Sequence, residues 1–106
     1  MINLVPELTK KEFNSFIKEG TVLIDFFAEG CMPCVMMGPI IEDLNKEFNG
    51  KIKIGKLNVD DYSETANKFR ISSIPNFILF KNGKPVEELT GAITQEGFEE
   101  TIKRHL

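Results

Sequence analysis

The sequence predicts an α/β protein of three layers, with helices on both faces of one sheet. Three observations carry that expectation. Strand-like and helix-like stretches alternate along the chain instead of segregating. The apolar stretches 21–27 and 76–80 show no polar alternation, so both faces of their strands need covering. An Asn82-Gly83 pair between two strand-like segments marks a tight antiparallel hairpin. A parallel core followed by that C-terminal hairpin is the expected topology.

The elements follow in order. Residues 2–5 are a first strand candidate. Thr9-Lys10-Lys11-Glu12 is a capping box, and Phe13, Phe16 and Ile17 form an apolar stripe that ends before Gly20. Thr21-Val22-Leu23-Ile24-Asp25-Phe26-Phe27 reads as a strand. The next helix is expected over 32–48, where Met37, Ile41, Leu44 and Phe48 recur at helical spacing; Pro39 should kink it and Asn49-Gly50 stop it. A strand is expected over 51–59, and Asp60-Asp61 then leads a short helix bearing Tyr62, Ala66 and Phe69. The hairpin strands are expected over 76–80 and 85–89. Thr94 caps a last helix with Phe98, Ile102 and Leu106 on one face.

A chain of 106 residues fits a single domain over 1–106 that buries a core without staples. Hydrophobic content of 42% with 27% charged residues is that of a soluble globular protein. No apolar run approaches the roughly 18 residues of a membrane span, and the N-terminus lacks the pattern of a signal peptide. A net charge of −3 gives no reason to expect nucleic acid or anionic lipid as a partner. The expected compartment is the cytoplasm, and the expected state a monomer.

Both cysteines of the chain lie in Cys31-Met32-Pro33-Cys34, between a strand and a helix. So small a loop makes a poor staple, and in a reducing compartment a lone CxxC reads as redox-active. A free thiol has a pKa of about 8.5, and a helix N-terminus lowers it. Cys31 is nearer the helix start and is expected to be the nucleophile, with Cys34 resolving its mixed disulfide. A structural zinc site needs about four ligands, and the only histidine is the distant His105; no metal and no cofactor are expected.

Asp25 is anomalous in a strand without a polar side. Burial should raise its pKa and keep a proton available to Cys34. Lys56, on the parity of Ile52 and Ile54, is its expected neighbour, as an ion-pair partner or as a tuning charge. Pro75 opens the strand at 76–80, where a missing N–H is tolerated. Only about 5–6% of X-Pro bonds are cis, so Ile74–Pro75 is read as trans from the residues alone.

With these residues in hand, the chain resembles the thioredoxin family over nearly its whole length. The resemblance rests on Leu23-Ile24-Asp25-Phe26-Phe27-Ala28 followed by the CxPC motif, Pro39, Lys56-Leu57-Asn58-Val59-Asp60, Ile74-Pro75, Lys81-Asn82-Gly83-Lys84 and Gly91-Ala92. It implies a thioredoxin fold, with a central mixed sheet of four to five strands flanked by four helices. It implies a protein-disulfide reductase cycling between dithiol and disulfide. In that cycle Cys31 attacks, Cys34 resolves, Asp25 exchanges a proton and Lys56 tunes it. It implies a cis Pro75. It also implies a substrate surface of Gly30, Met32, Pro33, Ile74, Pro75, Gly91 and Ala92, a thioredoxin-reductase-like reductant, and client proteins with disulfides.

The chain departs from the family pattern in four places. Gly30 replaces the usual Trp, and the chain has no Trp at all. Met32 replaces Gly, Val35 a basic residue, and Asn76 the more usual Thr. These changes bear on redox potential, client range and reductase partner. The alternatives are a glutaredoxin-like or oxidant and isomerase role within the same fold, and a non-redox binding module.

Overall fold

A computed structural model describes residues 5–106. Thr9 opens the first helix, α1 (Lys10–Phe16), with a complete capping box. The Glu12 N–H donates to Thr9 Oγ1 at 3.2 Å, and the Thr9 N–H donates to Glu12 Oε1 at 2.8 Å. The chain then runs through β1 (Thr21–Phe27), α2 (Met32–Met36), α3 (Gly38–Glu47), β2 (Lys53–Asn58), α4 (Ser63–Lys68), β3 (Asn76–Lys81), β4 (Lys84–Thr90) and α5 (Gln95–Lys103).

Among the described residues the sheet has four strands in the order β2-β1-β3-β4. Only β1 and β2 are parallel; β3 runs antiparallel to β1, and β4 to β3. Among the described strands the parallel core is the β1–β2 pair, because the chain enters β3 from the opposite end. Most of the strand candidate at 2–5 lies outside the described residues. Just beyond it, Glu7 forms an isolated parallel bridge with Lys56, and Leu8 N–H donates to Lys56 O at 2.8 Å.

Strands β1, β2 and β3 each face two cores, while the edge strand β4 is largely exposed. Leu23, Ile54, Phe77 and Leu79 pack under α3 and α5 with Ile41, Leu44, Phe98 and Ile102. Val22, Ile24, Phe26, Leu57 and Phe80 point the other way, toward Phe13 and Ile17. This is the period-two alternation of a strand buried on both sides. Gly55 makes the second packing possible: a Cβ there would stand 2.8 Å from Leu8 Cδ1 and 3.0 Å from Phe16 Cε2.

Two helices and one strand pairing depart from the sequence expectation, beyond shifts of a residue or two at strand ends. The helix expected over 32–48 is two helices that meet at Met37. Pro39 has no N–H to donate to the Val35 carbonyl, so the ladder breaks there and restarts with Ile41 N–H on Met37 O at 3.0 Å. The last helix stops at Lys103, which leaves Leu106 exposed rather than on the apolar face. In the hairpin, pairing shifts register between Leu79 and Phe80, where Pro85 meets Phe80 on the edge strand. A proline is tolerated at such a bulge. No helix among the described residues is long and apolar enough to cross a membrane.

Candidate active site

The site lies at the C-terminal end of β1. Beyond Phe27 the chain turns through Gly30 at φ +77°, a conformation that suits glycine. Apart from Gly30 and its two chain neighbours, no atom lies within 4 Å of where a Gly30 Cβ would stand. Cys31 caps α2 in an extended conformation, and the Cys34 N–H points at its Sγ from 3.3 Å. Pro33 falls in the first turn, where its missing N–H costs nothing. Cys31 and Cys34 form a disulfide with Cα atoms 5.3 Å apart. Cys31 is half-buried and Cys34 is buried. The two sulfurs thus differ in access, and an N–H aimed at Cys31 favours its thiolate once the disulfide opens.

Asp25 shares the parity of Leu23, which points it beneath α2 and α3. It is buried, and its Oδ1 has no hydrogen-bond partner. Burial pushes its carboxyl up to about 7, with the positive charge of Lys56 pulling the other way. Lys56 is the register partner of Asp25 across the parallel pair, and its ammonium lies 5.5 Å from the Phe27 ring centroid. Asp25, Lys56, Cys34 and Gly30 line one cleft of about 420 Å³, together with Glu42. A group that titrates near neutrality thus opens on the same cleft as the buried cysteine.

The second half of the site enters from β3. Asn76 pairs with Phe26, so the Ile74–Pro75 peptide lies off the same end of the sheet as the cysteines. That peptide is cis, as the family resemblance implies and against the trans reading taken from base rates. A base rate counts prolines in general and is blind to the path this loop must follow. Gly91 N–H donates to Pro75 O at 2.9 Å, which joins the proline loop to the turn at 91–92. Ile74 is half-buried, Pro75 is buried and Ala92 is exposed.

Two features escaped the sequence reading. Beside Met32, already expected on the substrate surface and 65% exposed, Val35 and Met36 are 63% and 72% exposed and extend it into an apolar strip along α2 next to Cys31. Their spacing of three and four was the available signal. Asn76 is 1% exposed and donates through Nδ2 to Glu88 Oε2 at 2.7 Å, while its Oδ1 has no partner. The Glu88 contact depends on the hairpin register and was not legible before it.

A disulfide at a strand-to-helix turn, with a buried acid sharing the cleft of its second cysteine, defines a thiol–disulfide exchange protein. The comparisons are specific about which kind. The family model Thioredoxin matches residues 4–104. The chain is 43% identical over 102 residues to the thioredoxin of Chlamydia caviae, covering 96% of this chain and 99% of that protein. It is 40% identical over 102 residues to the thioredoxin of Staphylococcus saprophyticus, covering 96% and 98%. The crystal structure of oxidised mitochondrial thioredoxin 3 from Saccharomyces cerevisiae superposes with a TM-score of 0.85 at 30% identity, over 94% of each chain. The chain belongs to the thioredoxin family and is a thiol–disulfide oxidoreductase with protein-disulfide reductase activity.

Proposed function

We propose that this protein is a two-electron carrier that reduces client disulfides through Cys31 and refills from a thioredoxin-reductase-like reductant. The cycle begins from the dithiol. The Cys31 thiolate attacks one client sulfur, the client S–S bond breaks, and a client thiolate leaves. Cys34 then gives its proton through water to Asp25 and attacks Cys31 Sγ. The mixed disulfide breaks, the second client thiolate departs, and the Cys31–Cys34 disulfide has taken up the oxidation. Lys56 tunes the proton affinity of Asp25. Gly30, Met32, Pro33, Ile74, Pro75, Gly91 and Ala92 form the surface that the client covers.

The observation that carries this reading is the shared cleft of Cys34, Asp25 and Lys56 directly behind the disulfide. A binding module needs neither a buried acid with an unpaired oxygen nor the difference in access between the sulfurs. One domain over 1–106, acting as a monomer in the cytoplasm, completes the reading.

The deciding measurement is the reduction potential of the Cys31–Cys34 couple. The protein is equilibrated in graded dithiothreitol buffers, free thiols are alkylated, and adducts are counted by mass. A potential near the roughly −270 mV of thioredoxin supports the reductant. A value well above about −200 mV supports the oxidant or isomerase alternative. The absence of a reversible two-thiol couple leaves the non-redox binding module.

A further inference from the structure

The chain has four methionines, and three of them are consecutive or nearly so after Cys31: Met32, Met36 and Met37. The structure sorts these three sharply. Met37 is 4% exposed and packs into the core with Ile41 and Leu44. Met32 and Met36 are 65% and 72% exposed, one turn apart, with exposed Val35 on the same face. An apolar strip left open beside a reactive sulfur marks an interaction surface. Its thioethers are also the kind of group a peroxide attacks, and oxidation makes a flexible apolar side chain polar.

We propose that Met32 and Met36 form a peroxide-sensitive modification site whose sulfoxides weaken the docking of protein clients beside Cys31. The inference rests on the disulfide-reduction reading above and adds a regulation to it. In the chemical step the thioether sulfur attacks the hydroperoxide, the O–O bond breaks, and one oxygen is retained as the sulfoxide. The sulfur loses two electrons to the peroxide, and water leaves when the oxidant is hydrogen peroxide. With Cys31 and Cys34 joined as the disulfide, neither offers a thiol to the oxidant. Oxidising conditions therefore reach the methionines while the redox centre is masked. The new S=O dipole must be desolvated when a client covers the strip, so binding suffers and chemistry at the sulfurs does not. Methionine sulfoxide reductases reverse the change.

The test uses the full chain in its disulfide form, titrated with hydrogen peroxide and peptide-mapped by mass. Each sample is then reduced at the disulfide and assayed on insulin, a protein disulfide, and on cystamine, a small one. Untreated protein is assayed first. If it reduces neither substrate, the disulfide-reduction reading has failed, and the regulation falls with it. Given activity, the expected result is sulfoxide at Met32 and Met36 well before Met37. KM for insulin rises about fivefold or more, while kcat and the cystamine rate hold. A Met32→Leu/Met36→Leu variant, compared with its own untreated sample, shows no such rise. Oxidation of Met37 in step with the others overturns the proposal. So does an unchanged KM with both sulfoxides in place, or an equal rise in the double leucine variant.

Discussion

Asp25 and Lys56 are register partners across the parallel β1–β2 pair, yet Asp25 Oδ1 has no hydrogen-bond partner. The lysine is close enough to pull the carboxyl downward and too weakly engaged to cancel its burial, so the acid sits near pH 7. An ion pair built for stability would hold the carboxylate ionised throughout the physiological range. The charge of Lys56 leaves it poised instead, which suits a proton acceptor for a buried thiol.

That poise has a cost in stability that depends on pH. Below about pH 3.8 both folded and unfolded chains hold the Asp25 proton, and the group is neutral in the balance. Between about 3.8 and 7 the unfolded chain ionises while the folded chain keeps its proton, so stability falls as pH rises. Above about 7 the loss is complete and is at most on the order of 4 kcal/mol. Asp25→Asn should therefore be more stable than the native protein at pH 8.5, with the gain shrinking toward pH 4. Urea melts at several pH values measure it. A pH-independent difference contradicts the assignment.

Lys56→Met removes the one charge that lowers the Asp25 pKa, so the carboxyl should titrate above 7. The carboxyl carbon resonance of Asp25, followed by NMR against pH, reports this directly. A midpoint that stays put means that Lys56 is structural only.

The two cysteines should behave differently when mutated one at a time. Cys34→Ser is expected to accumulate mixed disulfides between Cys31 and client proteins, because nothing remains to resolve them. Cys31→Ser is expected to lose turnover by about a thousandfold or more, since the half-exposed attacking sulfur is gone. Non-reducing gels with mass identification and an insulin reduction assay read the two outcomes. A Cys34→Ser variant that traps nothing contradicts the two-step cycle.

On the far face of the sheet, Phe13 is 1% exposed and meets the rings of Phe26, Phe69 and Phe80 at centroid distances of 6.2, 5.8 and 5.9 Å. Phe13→Ala should cost about 3–5 kcal/mol by the cavity it leaves. The reduction potential should stay nearly unchanged, because this core is separated from the sulfurs by the sheet. A denaturation curve and the dithiothreitol titration on the same variant check both halves.

Much of the site was legible because its chemistry is local. The CxPC tetrapeptide, its place between an apolar strand and a helix, and the odd carboxylate at Asp25 are all sequence facts. Parity within each strand pointed Asp25 and Lys56 inward, and the β1–β2 register put them on one face. Met37 was legible as core from its spacing with Ile41 and Leu44, while the open face that Met36 shares with Met32 and Val35 needed the fold.

The sequence by itself determined the period of each element, the caps at Thr9 and Thr94, the hairpin turn and the identity of the reactive sulfurs. These depend on residues a few positions apart, within reach of short-range sterics and hydrogen bonds. Tertiary structure decided the rest. It set the antiparallel pairing of β3 with β1, the cis peptide before Pro75, the bond from Gly91 to Pro75 and the link from Asn76 to Glu88. It also decided how deep Asp25 lies, and hence its pKa. Burial and long-range pairing are properties of what other segments bring alongside, and no local stretch of chain carries that information.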